Sequence, residues 1–309
     1  MNETSSGSSA ASAAVEGFRS DTGARGGRGA EGWWQNQIAL PTAIYWTIHT
    51  GCLLAIWTGA TRFEIALCLG LFWIRLFGIT AGYHRYFAHK SFKTSRAFQL
   101  VLALLGAASV QKGPLWWAAG HRRHHRYSDQ PGDLHTPREG FWRAHQGWIF
   151  DERWNATETD RIRDFARYPE LAWLNRWHVA PPLALAVGCF MLGGLSTLVW
   201  GFCVSTTLLW HSTYSINSLA HRWGSQRYET GDDSRNNLFL ALLTLGEGWH
   251  NNHHHYMASA RQGFFWWEID ITYYALRGLQ AVGLVWDIRE PPAEVLRPSE
   301  SVARTQIAA

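Results

Sequence analysis

Three histidine clusters hold the residues of this chain that could do chemistry. His84-Arg-Tyr-Phe-Ala-His89 sets two imidazoles five residues apart. His121-Arg-Arg-His124-His125 and His250-Asn-Asn-His253-His254 each have the spacing i, i+3, i+4. On a helix those positions share one face, so three imidazoles there could ligate one metal or straddle two. With 15 histidines in 309 residues, a given H-x-x-H-H arises by composition in about one chain of thirty. Two of them beside an H-x-x-x-x-H make coincidence a poor explanation, and none is the contiguous terminal run of a purification tag. A zinc site takes four ligands; eight clustered histidines exceed one such site and suit two metals. Imidazole serves zinc, copper, iron and nickel alike, so the ligand type leaves the metal open.

The other histidines divide. His221, in Asn217-Ser-Leu-Ala-His221, is a candidate ninth ligand, with Asn217 one helical turn earlier to hold a water. His255 adjoins the third cluster but points off its face. His49 lies inside an apolar segment and reads as a packed helix residue. His135, His145, His178 and His211 are isolated and read as structural.

The elements that must position the clusters are apolar. Four segments, at 38–59, 64–83, 179–198 and 199–219, each have about 20 residues, enough as a helix to cross about 30 Å of hydrocarbon. The first two are separated by 60–63, and the last two join around Gly193, Gly194 and Ser196, so each pair reads as a hairpin. Buried helices of a soluble protein are the rival reading, but two consecutive hairpins of this length are hard to bury otherwise. The run at 98–110 is too short for a span. The expected fold class is all-α integral membrane: four transmembrane helices as two hairpins, with a helical cap. The cap, from 84–178 and 220–290, carries most of the histidines and arginines. Its arginines place it and both termini on the cytoplasmic side. Residues 1–32, rich in Ser, Ala, Gly and Arg, read as a disordered N-terminal tail. Residues 33–287 read as the working domain and 288–309 as a C-terminal tail.

Composition agrees. The 19 tryptophans suit a bilayer interface, where an apolar ring and a polar N–H both find partners. The net charge of +4 comes from scattered arginines, which argues against a nucleic-acid partner. The mean hydropathy of −0.18 averages apolar spans with a polar cap. Cys52, Cys68, Cys189 and Cys203 lie in apolar stretches without a C-x-x-C, so they read as buried thiols.

With these boxes the chain resembles the membrane fatty-acid desaturases of the stearoyl-CoA (Δ9) type, in a bacterial or cyanobacterial form. The matching stretches are Gly78-Ile-Thr-Ala-Gly-Tyr-His-Arg, His121-Arg-Arg-His-His-Arg-Tyr-Ser-Asp, Gly140-Phe-Trp-Arg-Ala-His-Gln-Gly-Trp148, Asn217-Ser-Leu-Ala-His221 and Gly246-Glu-Gly-Trp-His-Asn-Asn-His-His254. They fall in order and spacing across residues 38–287. The resemblance implies a di-iron centre (two Fe2+) in the cytosolic cap, with O2 as co-substrate. It implies His84, His89, His121, His124, His125, His221, His250, His253 and His254 as ligands, and Asn217 through a water. It further implies a bent acyl tunnel, with Gln111, Trp117 and Thr213 at the bend. The expected reaction inserts a cis double bond at Δ9 into a saturated C16 or C18 acyl chain. Animal members carry Arg-Asp directly before the second box, near the CoA headgroup. Ala119 and Gly120 stand there instead, so acyl-CoA and acyl-lipid substrates both remain open.

Breaking unactivated C–H bonds is chemistry the cofactor supplies, and each turnover needs two electrons. The chain has no His-Pro-Gly-Gly heme motif, no cysteine set for an iron–sulfur cluster and no G-x-G-x-x-G on a strand–helix unit. An external ferredoxin, rubredoxin-like or cytochrome b5-like donor, with its reductase, is therefore expected, and Arg122, Arg123 and Arg126 are candidates to dock it. Neutral imidazoles leave the cluster's charge uncompensated, and Asp129, Asp133, Asp232, Asp233 and Glu247 are candidates to orient them. The rival readings are a membrane di-iron hydroxylase or alkane monooxygenase, and a non-catalytic metal-binding or transport protein.

Overall fold

The computed structural model describes residues 39–297; the tail expected at 1–32 lies outside the described residues. Helix α1 (Ala39–Gly51) tightens through a 3-10 turn (Cys52–Leu54) into α2 (Ala55–Thr58). Gly59, at φ 63°, ends it as glycine commonly ends helices. Thr61 opens α3 (Arg62–Phe77) with a capping box, its backbone N–H donating to Glu64 Oε2 at 2.7 Å. Helix α3 then runs without a break into a π-helix, Gly78–Ala88, so the second apolar segment ends inside the first histidine box.

Helix α4 (Arg96–Ala107) is the short apolar run and lies against this π-helix. The close approach needs glycine: a Cβ on Gly78 would stand 2.6 Å from the Leu105 backbone, and one on Gly106 would overlap the Tyr83 ring. The cap follows as α5 (Pro114–Tyr127), α6 (Phe141–His145) and α7 (Pro169–Arg176).

Next comes α8 (Ala180–Leu198), then a π-turn (Val199–Val204) and α9 (Ser205–Ser218). Along an unbroken helix, Cys189 and Gly201 would stand about 18 Å apart. Instead a Cβ on Gly201 would lie 2.9 Å from Cys189 Sγ, and Thr197 Oγ1 donates to Cys189 O at 2.5 Å. The chain doubles back at Gly193 and Gly194, the latter at φ 71°. The reversal falls at the join expected around Gly193, Gly194 and Ser196, so the segment bound at 198/199 moves back to Leu195; Gly194 takes the positive φ of the turn without strain. The two turns lie side by side, Trp200 Nε1 donating to Gly59 O at 2.5 Å and Ser196 Oγ to Glu64 Oε1 at 2.6 Å.

Among the described residues, two stretches, Arg62–Ala88 and Ala180–Ser218, have the length and apolar composition of membrane spans, the second folded into two arms at Gly193–Gly194. Only 17% of the most apolar window of the second is buried, which no soluble core helix would tolerate over such an apolar face. The first expected span is interrupted by the 3-10 turn and does not form one such stretch.

After α9 the chain returns to the cap through α10 (Leu238–Leu243), α11 (His250–His255) and α12 (Ile271–Ala281). A two-stranded antiparallel sheet, β1 (Lys93–Thr94) with β2 (Val285–Trp286), pairs Lys93 with Trp286 and Thr94 with Val285. Residues just past 287, read as a tail, are tied to the cap: Arg289 N donates to Ser91 O at 2.8 Å and Tyr228 Oη to Leu296 O at 3.2 Å.

Candidate metal centre

The first box depends on its π-helix. Five residues on an α-helix turn the chain about 140° past a full revolution, which would set His84 and His89 apart. A π-helix bonds i to i+5, and here His89 N donates to His84 O at 3.2 Å. Arg122 braces the end of the box, donating to the carbonyls of Phe87 at 2.8 Å and Ala88 at 2.9 Å. The second box lies on α5 and the third on α11, and each divides its histidines between two sites.

His84, His89, His121, His125 and His253 converge in one group, and His124, His221, His250 and His254 in another; within each, the ring nitrogens lie within 4.8 Å of one another. In the first group, Nε2–Nε2 separations are 3.0 Å for His84–His253, 2.9 Å for His89–His121, 3.0 Å for His121–His125 and 2.9 Å for His125–His253. In the second they are 3.0 Å for His221–His250 and 3.4 Å for His124–His254.

Carboxylates fix the tautomers. His124 Nδ1 donates to Asp133 at 2.9 Å, His221 Nδ1 to Asp129 at 2.8 Å and His254 Nδ1 to Asp232 at 2.6 Å, while His84 Nδ1 contacts Glu247. A carboxylate only accepts, so these Nδ1 atoms carry the hydrogen and the neutral ring's Nε2 presents a lone pair. When both are neutral, His124 and His254 face each other lone pair to lone pair, which is repulsive unless a proton or a metal cation lies between. Two nitrogens each about 2.1 Å from one ion stand about 3.0 Å apart at a right angle and about 3.4 Å at the tetrahedral angle. The separations fall on those values, so the residues fit two metal ions.

Burial keeps six of the imidazoles neutral, while for His124 burial works downward but Asp133 prevails and raises it. Burial pushes His89, His121, His125, His250 and His253 well below the usual histidine value, and neighbouring histidines add to the effect. Burial also brings His254 down to about 4, against the pull of Asp232. For Glu247, burial works upward but His84 and Arg85 prevail and hold it at about 2. The centre is therefore not uncompensated, as the imidazoles alone suggested: four carboxylates stand one ring away from the metal positions. Asp233, the fifth candidate, instead pairs with Arg138 at 2.9 Å in an exposed ion pair.

An open-sided cavity lies against both groups. His84, His121, His124 and His250 form one wall, Leu76, Ile79 and Ile216 the apolar side, and Asn217 and Thr213 the helix α9 side. Trp117 also lines it, its Nε1 donating to Gln111 Oε1 at 3.1 Å, while Gln111 Nε2 donates to Thr213 Oγ1 at 2.9 Å. The three expected bend residues are thus one hydrogen-bonded unit.

Some residues were missed. His135 lines the cavity beside His124, ring centroids 4.4 Å apart; its place two residues after Asp133 was the only hint. His49, His211 and His145 form a chain, with Nε2–Nε2 at 3.2 Å and His211 Nδ1 to His145 Nε2 at 2.9 Å, and His145 Nδ1 reaches Ser218 Oγ at 2.9 Å. It fastens α6 of the cap to α9 beside Asn217. Arg85, fully buried, holds Glu247 and Asp270 at 3.0 and 2.9 Å. Of the arginines proposed for docking, Arg122 is committed to Asp164 at 2.9 Å and Arg123 to Glu158 at 2.8 Å.

A family model described as "Fatty acid desaturase" matches residues 57–284. The chain is 37% identical over 267 residues to a palmitoyl-monogalactosyldiacylglycerol delta-7 desaturase, chloroplastic, of Arabidopsis thaliana, covering 84% of this chain and 72% of that one. It is 39% identical over 248 residues to an acyl-CoA C20 Delta5-desaturase of Anemone leveillei, covering 79% of each. It is 36% identical over 261 residues to an sn-2 palmitoyl-lipid 9-desaturase of Nostoc sp. (strain 36), covering 82% and 91%.

Proposed function

Because the chain belongs to the fatty acid desaturase family, and so is an oxidoreductase acting on fatty acyl chains, we propose that it inserts a cis Δ9 double bond into saturated C16 or C18 acyl chains with O2. The observation that carries this reading is the convergence of nine histidines, in groups of five and four, on one partly apolar cavity. The nine histidines are the ligands of two irons, and Asn217 adds a water-mediated contact to the four-histidine group. Bound iron supplies the O2-dependent C–H cleavage that side chains cannot.

The chain's own residues bind, orient and exclude water. Asp129, Asp133, Asp232 and Glu247 aim the rings and raise their basicity. Leu76, Ile79 and Ile216 keep the cavity wall apolar, so a saturated chain can replace water there. The Gln111–Trp117–Thr213 unit shapes the bend, which sets the methylene pair that faces the metals and favours the cis product. Two electrons per turnover come from an external ferredoxin, rubredoxin-like or cytochrome b5-like donor. Arg126, exposed beside His125, is the second-box arginine left for its docking. The names of relatives support acyl-lipid as well as acyl-CoA substrates.

Four segments cross the bilayer as two hairpins, α1–α2 with α3 and the two arms that meet at Gly193–Gly194. The side-by-side turns support this reading, as does the arginine-rich cap for a cytoplasmic placement. The working domain is 33–287.

The test uses cells lacking their own desaturase, expressing this chain or its His253→Ala variant, with double bonds located by gas chromatography–mass spectrometry. New cis-Δ9 16:1 or 18:1, absent in the variant, is the expected result. Hydroxy acids in place of alkenes would move the assignment to a hydroxylase.

A further inference from the structure

A saturated acyl chain forms no hydrogen bonds, so a polar side chain left free on the cavity wall has no work to do for it. Most polar side chains of that wall are already paired. Thr80 Oγ1 shares a hydrogen bond with Thr272 Oγ1 at 2.8 Å, Thr244 Oγ1 donates to Leu240 O at 2.6 Å and Thr213 Oγ1 accepts from Gln111 Nε2 at 2.9 Å. Trp117 donates to Gln111, and Glu247 is held by His84 and Arg85. Apart from the nine clustered rings, that leaves Asn217 and His135.

His135 is only 8% exposed. Neither of its ring nitrogens has a hydrogen-bond partner among the described residues, and Nδ1 is buried outright. Asp133 Oδ1 is 4.0 Å from Nδ1, beyond hydrogen-bond range, and already accepts from His124 Nδ1 and from the His135 backbone N–H. A neutral imidazole has one N–H and one lone pair, and burying both unused is costly.

The ring is nevertheless placed with care. Its loop is fastened by the carboxylates that orient the ligand rings: Asp133 Oδ2 accepts from Asp129 N at 3.0 Å, and Asp129 Oδ1 from Thr136 Oγ1 at 3.1 Å. Leu134 is buried against Gly120 of α5, where a Cβ would stand 3.3 Å from its Cδ2. The His135 ring centroid lies 4.4 Å from that of His124 and 5.4 Å from that of Trp148. An apolar ring would fill this place as well, so the unpaired nitrogens point to a ligand that comes and goes. Both free side chains stand on one side of the centre. His135 lies against His124, Asn217 is one turn before His221, and both those rings belong to the four-histidine group.

We propose that His135 is a catalytic residue that holds the oxygen side of the reaction, O2 on entry and water on exit, by a hydrogen bond beside the four-histidine group. This rests on the desaturase reading above. Each turnover converts one –CH2–CH2– unit, one O2, two electrons and two protons into one –CH=CH– unit and two waters. The electrons come from the external donor and the protons from solvent, and His135 ends the cycle as it began. The cavity must therefore hold a reduced oxygen species between an apolar chain and rings that only ligate. A fixed N–H at that spot stabilises the charge that develops there, in place of excluded water.

The test titrates sodium azide, a small anion that stands in for reduced dioxygen, into oxidised, iron-loaded enzyme and reads its absorption band. His135→Phe keeps a ring in place and removes both nitrogens. It should retain iron as the wild type does and raise the azide Kd about tenfold, the scale of one buried hydrogen bond. In turnover it should form less alkene per O2 consumed, the difference appearing as hydrogen peroxide (O2 plus two electrons and two protons). His135→Gln, which restores a donor and an acceptor, should recover part of both losses. An unchanged azide Kd in iron-replete His135→Phe overturns the proposal. Should that variant lose iron, His135→Met decides by the same reading. Loss of iron in both would make His135 a packing support of His124 and would equally overturn it. Wild type that binds azide but forms no alkene would instead count against the desaturase reading itself.

Discussion

The two histidine groups are built from the same residue type and on shared helices, yet they are held differently. In the four-histidine group, three rings have an anionic partner: Asp133 behind His124, Asp129 behind His221 and Asp232 behind His254. The five-histidine group has Glu247 behind His84, and Glu247 is shared with Arg85 at 3.0 Å. Backbone does the remaining work there, through the π-helix and the Arg122 bonds that brace it. An ion in the four-histidine group is neutralised by charges one ring away, and its ligands are more basic. An ion in the five-histidine group faces neutral rings and one carboxylate already matched to an arginine. The first arrangement should hold a metal the more firmly, and the second should leave one the more electron-poor. Histidine count alone would have suggested that five ligands bind more firmly than four.

Direct loss of a ring is the strongest way to probe the pair. His121→Ala and His250→Ala, one in each group, should each lower product formation by more than about 100-fold, beyond the usual cost of losing a residue that only orients a ligand. Iron per chain, measured by plasma mass spectrometry on purified protein, should separate them. His121→Ala retains about one iron, and His250→Ala less. Equal retention would remove the ranking of the two groups.

Next in size is the removal of orienting charge. Asp129→Asn should cost about 10–100-fold in iron affinity, read as faster loss of iron to a chelator. Glu247→Gln should leave iron retention closer to wild type. It also leaves Asp270 as the single carboxylate against fully buried Arg85, so its larger effect should be on thermal stability. If Glu247→Gln sheds iron as readily as Asp129→Asn, the contrast drawn above is wrong.

The metal-free protein should also show the histidines directly. The folded values of His89, His121, His125, His250 and His253 lie well below the ordinary one, and that of His254 is about 4. The unfolded chain therefore binds more protons as pH falls below about 6.5. Folded stability is then complete above that value and drops progressively beneath it. Thermal unfolding of iron-free protein in detergent should shift to lower temperature between pH 7.5 and pH 5.5, and iron-loaded protein should shift less. A flat profile for the iron-free form would mean that the rings are not held neutral.

Much of this was legible because the signals are local. The boxes follow from i, i+3, i+4 spacing, and 20-residue apolar runs mark the hairpins whatever packs on them. Four of the five candidate carboxylates do reach a histidine. The division of each box between two groups was not legible, because it depends on how α5 and α11 face each other across the centre. Nor was the π-helix, since the sequence of Gly78–Ala88 does not announce i to i+5 bonding. The join at Gly193–Gly194 was legible from its glycines, but the segment bound set at 198/199 was not, because an apolar window registers composition alone. His135, two residues after an aspartate, looked isolated until the loop folded it against His124.

The smallest expected effect comes from neighbours in sequence. Asp232 and Asp233 are equivalent by composition and by distance from the boxes. Asp232 is 9% exposed and reaches His254 at 2.6 Å. Asp233 pairs with Arg138 at 2.9 Å, and both side chains are more than 40% exposed. Exposed pairs of that kind contribute about 0–1 kcal/mol. The Asp233 backbone still matters, its N–H donating to Asp129 Oδ2 at 2.8 Å, but an asparagine keeps that N–H. Asp233→Asn should therefore change product formation less than about twofold, whereas Asp232→Asn should fall within the 10–100-fold range of a lost ligand-orienting partner. Parallel assays of the two variants, normalised to protein in the membrane, check this. Comparable losses in both would mean that net charge near the four-histidine group, rather than the hydrogen bond to His254, is what holds its metal.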